Sequence, residues 1–191
     1  MSGNKCYLSP INVNDAEKFA EWLNDLEVTV NLTLYNNVIN TENEKALLEN
    51  LSKEHHYSII DQETNALLGS CGFVDIDHLN QTAEVGICIG NKQYWNRGYG
   101  TEALILLLDY GFKALNLHNV LIRVYAFNER AAKCYEKAGF KLMGKRRDTL
   151  RRGKKKYDVT YLDILYDEFY ETNAARIESF NRAVMQGERT M

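Results

Sequence analysis

The chain has 191 residues, 45% of them hydrophobic and 11% aromatic, and a formal net charge of −3. That length suits one domain with one core, and a single proline with no serine- or glycine-rich run argues against an internal linker. No 18-residue apolar stretch, twin-arginine motif or apolar leader is present, which excludes a spanning or exported protein and makes a cytoplasmic one the expectation.

In chain order, residues 5–9 alternate apolar and polar before Pro10, as a short first strand does. Asn14 or Asp15 then caps a helix that carries Phe19, Trp22 and Leu23 on one face. A looser stretch over 28–39 is rich in asparagine. Thr41 opens the next helix, with Glu44 three residues on as a capping box and Leu47, Leu48 and Leu51 as its apolar face. Strands over 57–60, 67–75 and 82–89, joined by polar turns, make an antiparallel meander. A long helix over 101–115 presents Leu104, Leu107, Leu108, Phe112 and Leu115 at helical spacing. A strand at 120–125, a helix at 128–138 and strands at 140–145 and 157–165 complete the pattern. The fold class is therefore α/β of the α+β type, a mixed and mostly antiparallel sheet covered by helices.

Charge and cysteine placement narrow the chemistry. Between Lys145 and Lys156 stand eight basic residues and one acid, Asp148, leaving 15 bases and 25 acids elsewhere. An acidic body suits a cationic partner better than nucleic acid, and no aromatic platform accompanies the basic run. Cys6, Cys71, Cys88 and Cys134 are scattered with no CxxC pair, as buried hydrophobes in a reducing compartment would be. Four separated histidines offer no metal spacing, so no metal is expected.

The most informative stretch runs from Gln93 to Ala103, between a strand and the long helix. Gly98 and Gly100 allow a tight turn and close approach of a ligand to the backbone, and the free amides of the helix start add positive potential. Together they make an anion site suited to a pyrophosphate, with Arg97 as an added charge. The same glycines fit a dinucleotide fingerprint. That reading needs an acid at the end of the next strand, where Arg123-Val-Tyr-Ala126 stands instead.

Read with Asn128-Glu-Arg-Ala-Ala-Lys-Cys-Tyr135-Glu-Lys-Ala-Gly139-Phe140, this turn resembles the two signatures of the GNAT superfamily of acetyltransferases, over roughly residues 5–166. Trp95 departs from the first signature, which places glutamine or arginine there. Trp95-Asn-Arg-Gly-Tyr-Gly-Thr-Glu-Ala103 looks like the branch that acetylates ribosomal-protein N-termini and like its polyamine-acetylating relatives. The resemblance implies a GNAT domain over 1–166 that uses acetyl-CoA as co-substrate and takes a primary amine as acceptor. It implies contacts to the cofactor from Arg97, Gly98, Tyr99, Gly100 and Thr101 and from Asn128, which also suits a helix N-cap. The strand Ala83–Gly90 alternates Val85, Ile87 and Ile89 with Gly86, Cys88 and Gly90; in the resembling family it splays from its neighbour and pairs with the pantetheine arm, here through Ile87, Cys88 and Ile89.

Direct attack of an amine on a thioester has three needs. A backbone N–H at Ile87 or Cys88 serves the oxyanion, Tyr135 supplies the proton to the leaving thiolate, and Glu84 or, second, Asp75 accepts the amine's proton directly or through water. An acyl-cysteine on Cys88 or Cys134 is rejected, since neither has a histidine close in sequence. The alternatives are a non-catalytic CoA-binding module, an aminoglycoside-modifying enzyme, and a nucleic-acid binder working through the basic hairpin. Residues 167–191 read as a helical tail whose stripe of Tyr170, Ala174, Ile177, Phe180 and Val184 docks on its own domain or makes a homodimer.

Overall fold

The computed structural model describes residues 1–187 apart from Leu34 and Asn36, with side chains described as far as Arg182. The elements are β1 (Cys6–Pro10), α1 (Ala16–Leu23), α2 (Leu26–Thr29), α3 (Thr41–Leu51), β2 (His56–Asp61), β3 (Leu67–Asp77), β4 (Thr82–Ile89), α4 (Tyr99–Ala114), β5 (Asn119–Tyr125), α5 (Glu129–Ala138), β6 (Lys141–Arg152), β7 (Lys155–Leu165) and α6 (Tyr166–Gly187). Their strands form one sheet in the order β1-β2-β3-β4-β5-β7-β6, in which the β4–β5 pair is parallel and every other pair antiparallel. This is the mixed sheet expected from the sequence pattern.

The pleat decides what each face carries. Cys71 and Phe73 stand opposite Ile87 and Val85, and this face meets α4, where a Cβ on Gly111 would lie 2.4 Å from the Phe73 ring. Gly111 is thus the reason α4 can lie so near the sheet. Leu104, Leu107, Leu108 and Phe112 of α4 are buried there with Val120, Ile122 and Ile164, each worth roughly 1.5–3 kcal/mol of transfer free energy. Ser70, Gly72 and Val74 stand opposite Cys88, Gly86 and Glu84 on the other face. A smaller cluster of Ile11, Phe19, Trp22 and Leu48 joins α1 to α3.

Three local expectations change. The cap of α3 is Asn40, whose side chain accepts from the Asn43 amide at 2.7 Å, so Thr41 is already helical. That shifts the buried stripe to Glu44 and Leu48 and leaves Leu47 exposed. The long helix begins at Tyr99, two residues before the expected start, because Gly98 takes a φ of +87° and turns the chain into it.

In α6 the buried stripe is Phe169, Asn173, Ile177 and Phe180, while Ala174 is exposed; the Val184 side chain lies outside the described residues. A polar residue occupies this stripe for a definite reason. The Asn173 amide donates to the Ala138 carbonyl at 3.0 Å, and Arg176 donates to the Lys137 carbonyl at 2.7 Å. These are carbonyls that the C-terminus of α5 leaves without helical partners. The tail helix therefore docks on its own chain and seals the end of α5.

Candidate functional site

The parallel pair β4–β5 is short. Thr82, Ala83 and Glu84 pair with Asn119, Val120 and Leu121, after which β4 runs on to Ile89 along β3 and β5 runs on to Tyr125 along β7. Between them opens a fork. From Val85 onward the edge of β4 that faces away from β3 has no ladder partner among the described residues, although main-chain donors and acceptors seldom go unmatched in a protein interior.

Two cavities adjoin this fork. The first, about 320 Å³, is lined by Ile87, Cys88 and Ile89 of β4, by Gly98, Gly100 and Thr101 at the start of α4, and by Asn128, Arg130, Lys133, Cys134 and Lys137 around α5. The α4 helix starts at its mouth, so the first amides of that helix have no carbonyl partner in the helix. A Cβ on Gly100 would lie 3.2 Å from the Cys134 Sγ, a tight contact where α4 approaches α5. Asn128 caps α5, its side chain accepting from the Ala131 amide at 3.1 Å.

Some expected contributors stand elsewhere. The Tyr99 side chain turns into the core, where its hydroxyl donates to Asp61 Oδ1 at 2.6 Å, so Tyr99 offers the cavity only its main chain. Arg97 is exposed, its guanidinium 5.3 Å from the Tyr94 ring centroid, and it is not a lining residue. The cationic lining comes instead from Arg130, Lys133 and Lys137, which recur at steps of three and four along one face of α5. That spacing was visible in the sequence. Trp95 explains its own presence. Its indole N–H donates to the Ile89 carbonyl at 2.7 Å, and the Arg130 guanidinium stacks 3.4 Å from its ring centroid.

The second cavity, about 530 Å³, lies on the sheet face that carries Gly72 and Gly86. Its wall includes His56, Ser70, Glu84, Arg123, Tyr125, Arg146, Thr149 and Tyr161, with residues 31–33 above. Glu84 sits on the last β4–β5 rung and is ion-paired to Arg123 Nε at 2.5 Å. Asp75 is exposed in the β3 bulge with a φ of +50° and lines neither cavity. Asn31, Leu32, Ile87, Cys88, Asn128 and Tyr135 line both cavities, so the two meet there.

Tyr135 is 7% exposed, and its phenol makes no side-chain hydrogen bond among the described residues. Burial, with smaller contributions from the Cys134 and Cys88 thiols, pushes its pKa well above the usual tyrosine value, so the phenol keeps its proton at neutral pH. Burial likewise pushes the Cys88 thiol up to about 11. The arrangement is a backbone-lined anion cradle joined, through a buried phenol, to a roomier polar chamber. Among the described residues no group of three or more His, Cys, Asp or Glu side chains is placed to hold a metal, and no helix is long and apolar enough to cross a membrane.

Comparison with known proteins shows the family. The family model described as an acetyltransferase (GNAT) domain matches residues 5–141. N-acetyltransferase p20 of Bacillus licheniformis, itself uncharacterized, is 31% identical over 167 residues, 85% of this chain and 93% of that one. Spermidine N(1)-acetyltransferase of Escherichia coli K12 is 38% identical over 76 residues, a match spanning 40% of either protein. Among solved structures, a GNAT-family acetyltransferase from Bacillus anthracis superposes with a TM-score of 0.78 at 23% identity, covering 87% of this chain and 98% of that one. Spermidine N-acetyltransferase from Vibrio cholerae, solved with CoA and spermine, gives 0.76 at 20% identity, covering 86% and 98%. At those identities the structural likeness concerns the fold alone.

Proposed function

Because the chain belongs to the GNAT acetyltransferase family, we propose that it transfers acetyl from acetyl-CoA to a primary amine by direct attack, with the cofactor in the first cavity and the amine in the second. The observation that carries this reading is the fork beyond Glu84, where an unpaired strand edge, a helix start and a buried phenol converge. The lining suits CoA. The amides of Gly98, Tyr99, Gly100 and Thr101 offer donors to a pyrophosphate, and Arg130, Lys133 and Lys137 offer charge to its phosphates. The free edge of β4 at Ile87 and Cys88 offers main-chain groups to an extended amide-bearing arm, while the Ile89 carbonyl is already engaged by Trp95.

Acetyl-CoA supplies the activated thioester carbonyl. The chain's part is to place and move protons. An N–H of Ile87 or Cys88 is the donor for the oxyanion, preorganised because β3 holds the strand on its other side. Tyr135 keeps its proton until a thiolate needs it. Glu84, with one carboxylate oxygen held by Arg123, has the other free to accept a proton from the amine, directly or through water. A Cys88 thiol held near pKa 11 is a poor nucleophile at neutral pH, which favours direct transfer over an acyl-cysteine.

The test is thiol release from acetyl-CoA in the presence of peptides, polyamines and aminoglycosides, alongside calorimetry with CoA. Expected are CoA binding and thiol release with at least one amine class. CoA binding with no release from any of them would mean a non-catalytic CoA-binding module.

A further inference from the structure

Taking that reading of the two cavities as its base, the charge on the wall of the second one specifies the acceptor further. Among its described lining residues Glu84 is the sole carboxylate, and Arg123 already neutralises it. Arg146 also lines the chamber and is paired with no carboxylate among the described residues. Just above, Arg152 reaches from the same hairpin, its guanidinium 5.4 Å from the Tyr125 ring centroid and 4.4 Å from that of Tyr35. Its Nη2 donates to the Leu32 carbonyl at 2.8 Å, and its Nε is buried with no hydrogen-bond partner. Arg152 too lacks a carboxylate partner among the described residues.

The basic run singled out in the sequence is therefore not only a solvated hairpin. Its Arg146 lines the acceptor side, where it has no carboxylate partner among the described residues, and Arg152 packs against two other lining residues, Tyr125 and Leu32. A polyamine would add two or more positive charges to this chamber and find among its described lining residues only a carboxylate already ion-paired to Arg123. We propose that the acceptor is a primary amine with an anionic group close to it, the amine at the Tyr135 and Glu84 end and the anion on Arg146. Guanidinium forks favour a carboxylate geometrically as well as electrostatically. The chemistry is met either by a peptide N-terminus followed by Asp or Glu or by a small amino-carboxylate.

The experiment uses the full chain with four acceptors: a Ser-Asp-Glu-initiated peptide, its Ser-Lys-Lys counterpart, free aspartate and spermidine. Binding is read by calorimetry and transfer by thiol release. The acidic peptide, free aspartate or both should exceed spermidine and the basic peptide in kcat/KM by about tenfold or more, the scale of one charge-assisted contact. Which of the two leads tells the peptide source from the small-molecule source. Arg146→Glu should reverse the preference, whereas Lys154→Glu, the same charge change at the exposed hairpin turn, should leave it. Spermidine or the basic peptide as the better acceptor, or equal loss in both variants, overturns the proposal. Acidic-acceptor binding that Arg146→Glu abolishes, without thiol release, upholds the anion preference and refutes acetyl transfer instead.

Discussion

The two cavities meet at Tyr135 yet are built by opposite means. The first draws mainly on residues 87–101 and 128–137, with Val28, Asn31 and Leu32 completing the lining, and it offers main-chain groups at a strand edge, a helix start and two glycines. The second draws on β2 through β7 and the 31–33 segment, and on side chains whose charges decide its character. Backbone donors are the same whatever residue carries them, so the first cavity depends on local geometry. The second depends on which side chains distant segments bring together. A ligand held by the one should be insensitive to most substitutions outside its glycines, and a ligand held by the other should respond to single charges.

The sharpest way to break this contrast is Gly98→Val. A β-branched residue at a φ of +87° is strained and brings methyl groups to the cradle, so CoA affinity should fall by roughly 10²–10³-fold while the acceptor chamber still binds its ligand. Undiminished CoA binding by calorimetry would show that the cradle is not made of backbone. Next in size is Tyr135→Phe, which removes a buried proton donor that both cavities share. Turnover should drop by roughly 10²-fold with CoA affinity nearly unchanged. Because burial raises the phenol's pKa, the wild-type rate should show no alkaline limb from this group near pH 10, the ordinary tyrosine value. A limb there that disappears in the Phe variant would contradict that burial.

Arg130→Ala tests the side-chain share of the first cavity. Losing one charged contact should weaken CoA by about 5- to 10-fold and leave kcat unchanged. A loss as large as that of Gly98→Val would erase the contrast between backbone and side-chain construction.

The smallest effect concerns His56 in the second cavity. Burial holds its pKa below the usual 6.5, and its Nδ1 is buried without a partner. The sign follows from linkage. As pH falls below about 6.5 the unfolded chain takes up this proton before the folded one does, so stability present above 6.5 is lost on acidification. Melting temperatures from pH 8 to 5 should therefore decline less steeply in His56→Gln than in the wild type. Parallel curves would remove His56 as a source of acid sensitivity.

The elements that were legible in the sequence are those with a period or a local signal. Alternation marked β1 and β4, polar turns bounded β2 and β3, the leucine spacing of α4 marked its buried face, and the Asn128–Phe140 run carried the α5 cap and its Gly139 terminator. Where a local rule met a competing partner, the partner prevailed. Asn40 displaced Thr41 as the α3 cap by offering its side chain one residue earlier. Asn173 displaced Ala174 from the buried face of α6 because the loose Ala138 carbonyl at the end of α5 lay within its reach. Glu102, inside the glycine motif, accepts from the Lys5 and Cys6 amides nearly a hundred residues away, an arrangement with no trace in spacing.

The sequence alone thus determined the mixed sheet, the glycine turn that opens α4 and the candidacy of Tyr135, because glycine conformations, helix starts and side-chain periods act over a few residues. The tertiary structure decided the rest. It ended the β4–β5 ladder at Glu84, paired Glu84 with Arg123, left Asp75 outside, and placed Arg146 of the hairpin in the chamber wall with Arg152 held on the Leu32 carbonyl. Those outcomes depend on which strands become neighbours. That is settled by the burial of a core shared by the whole chain, and no window of sequence contains it.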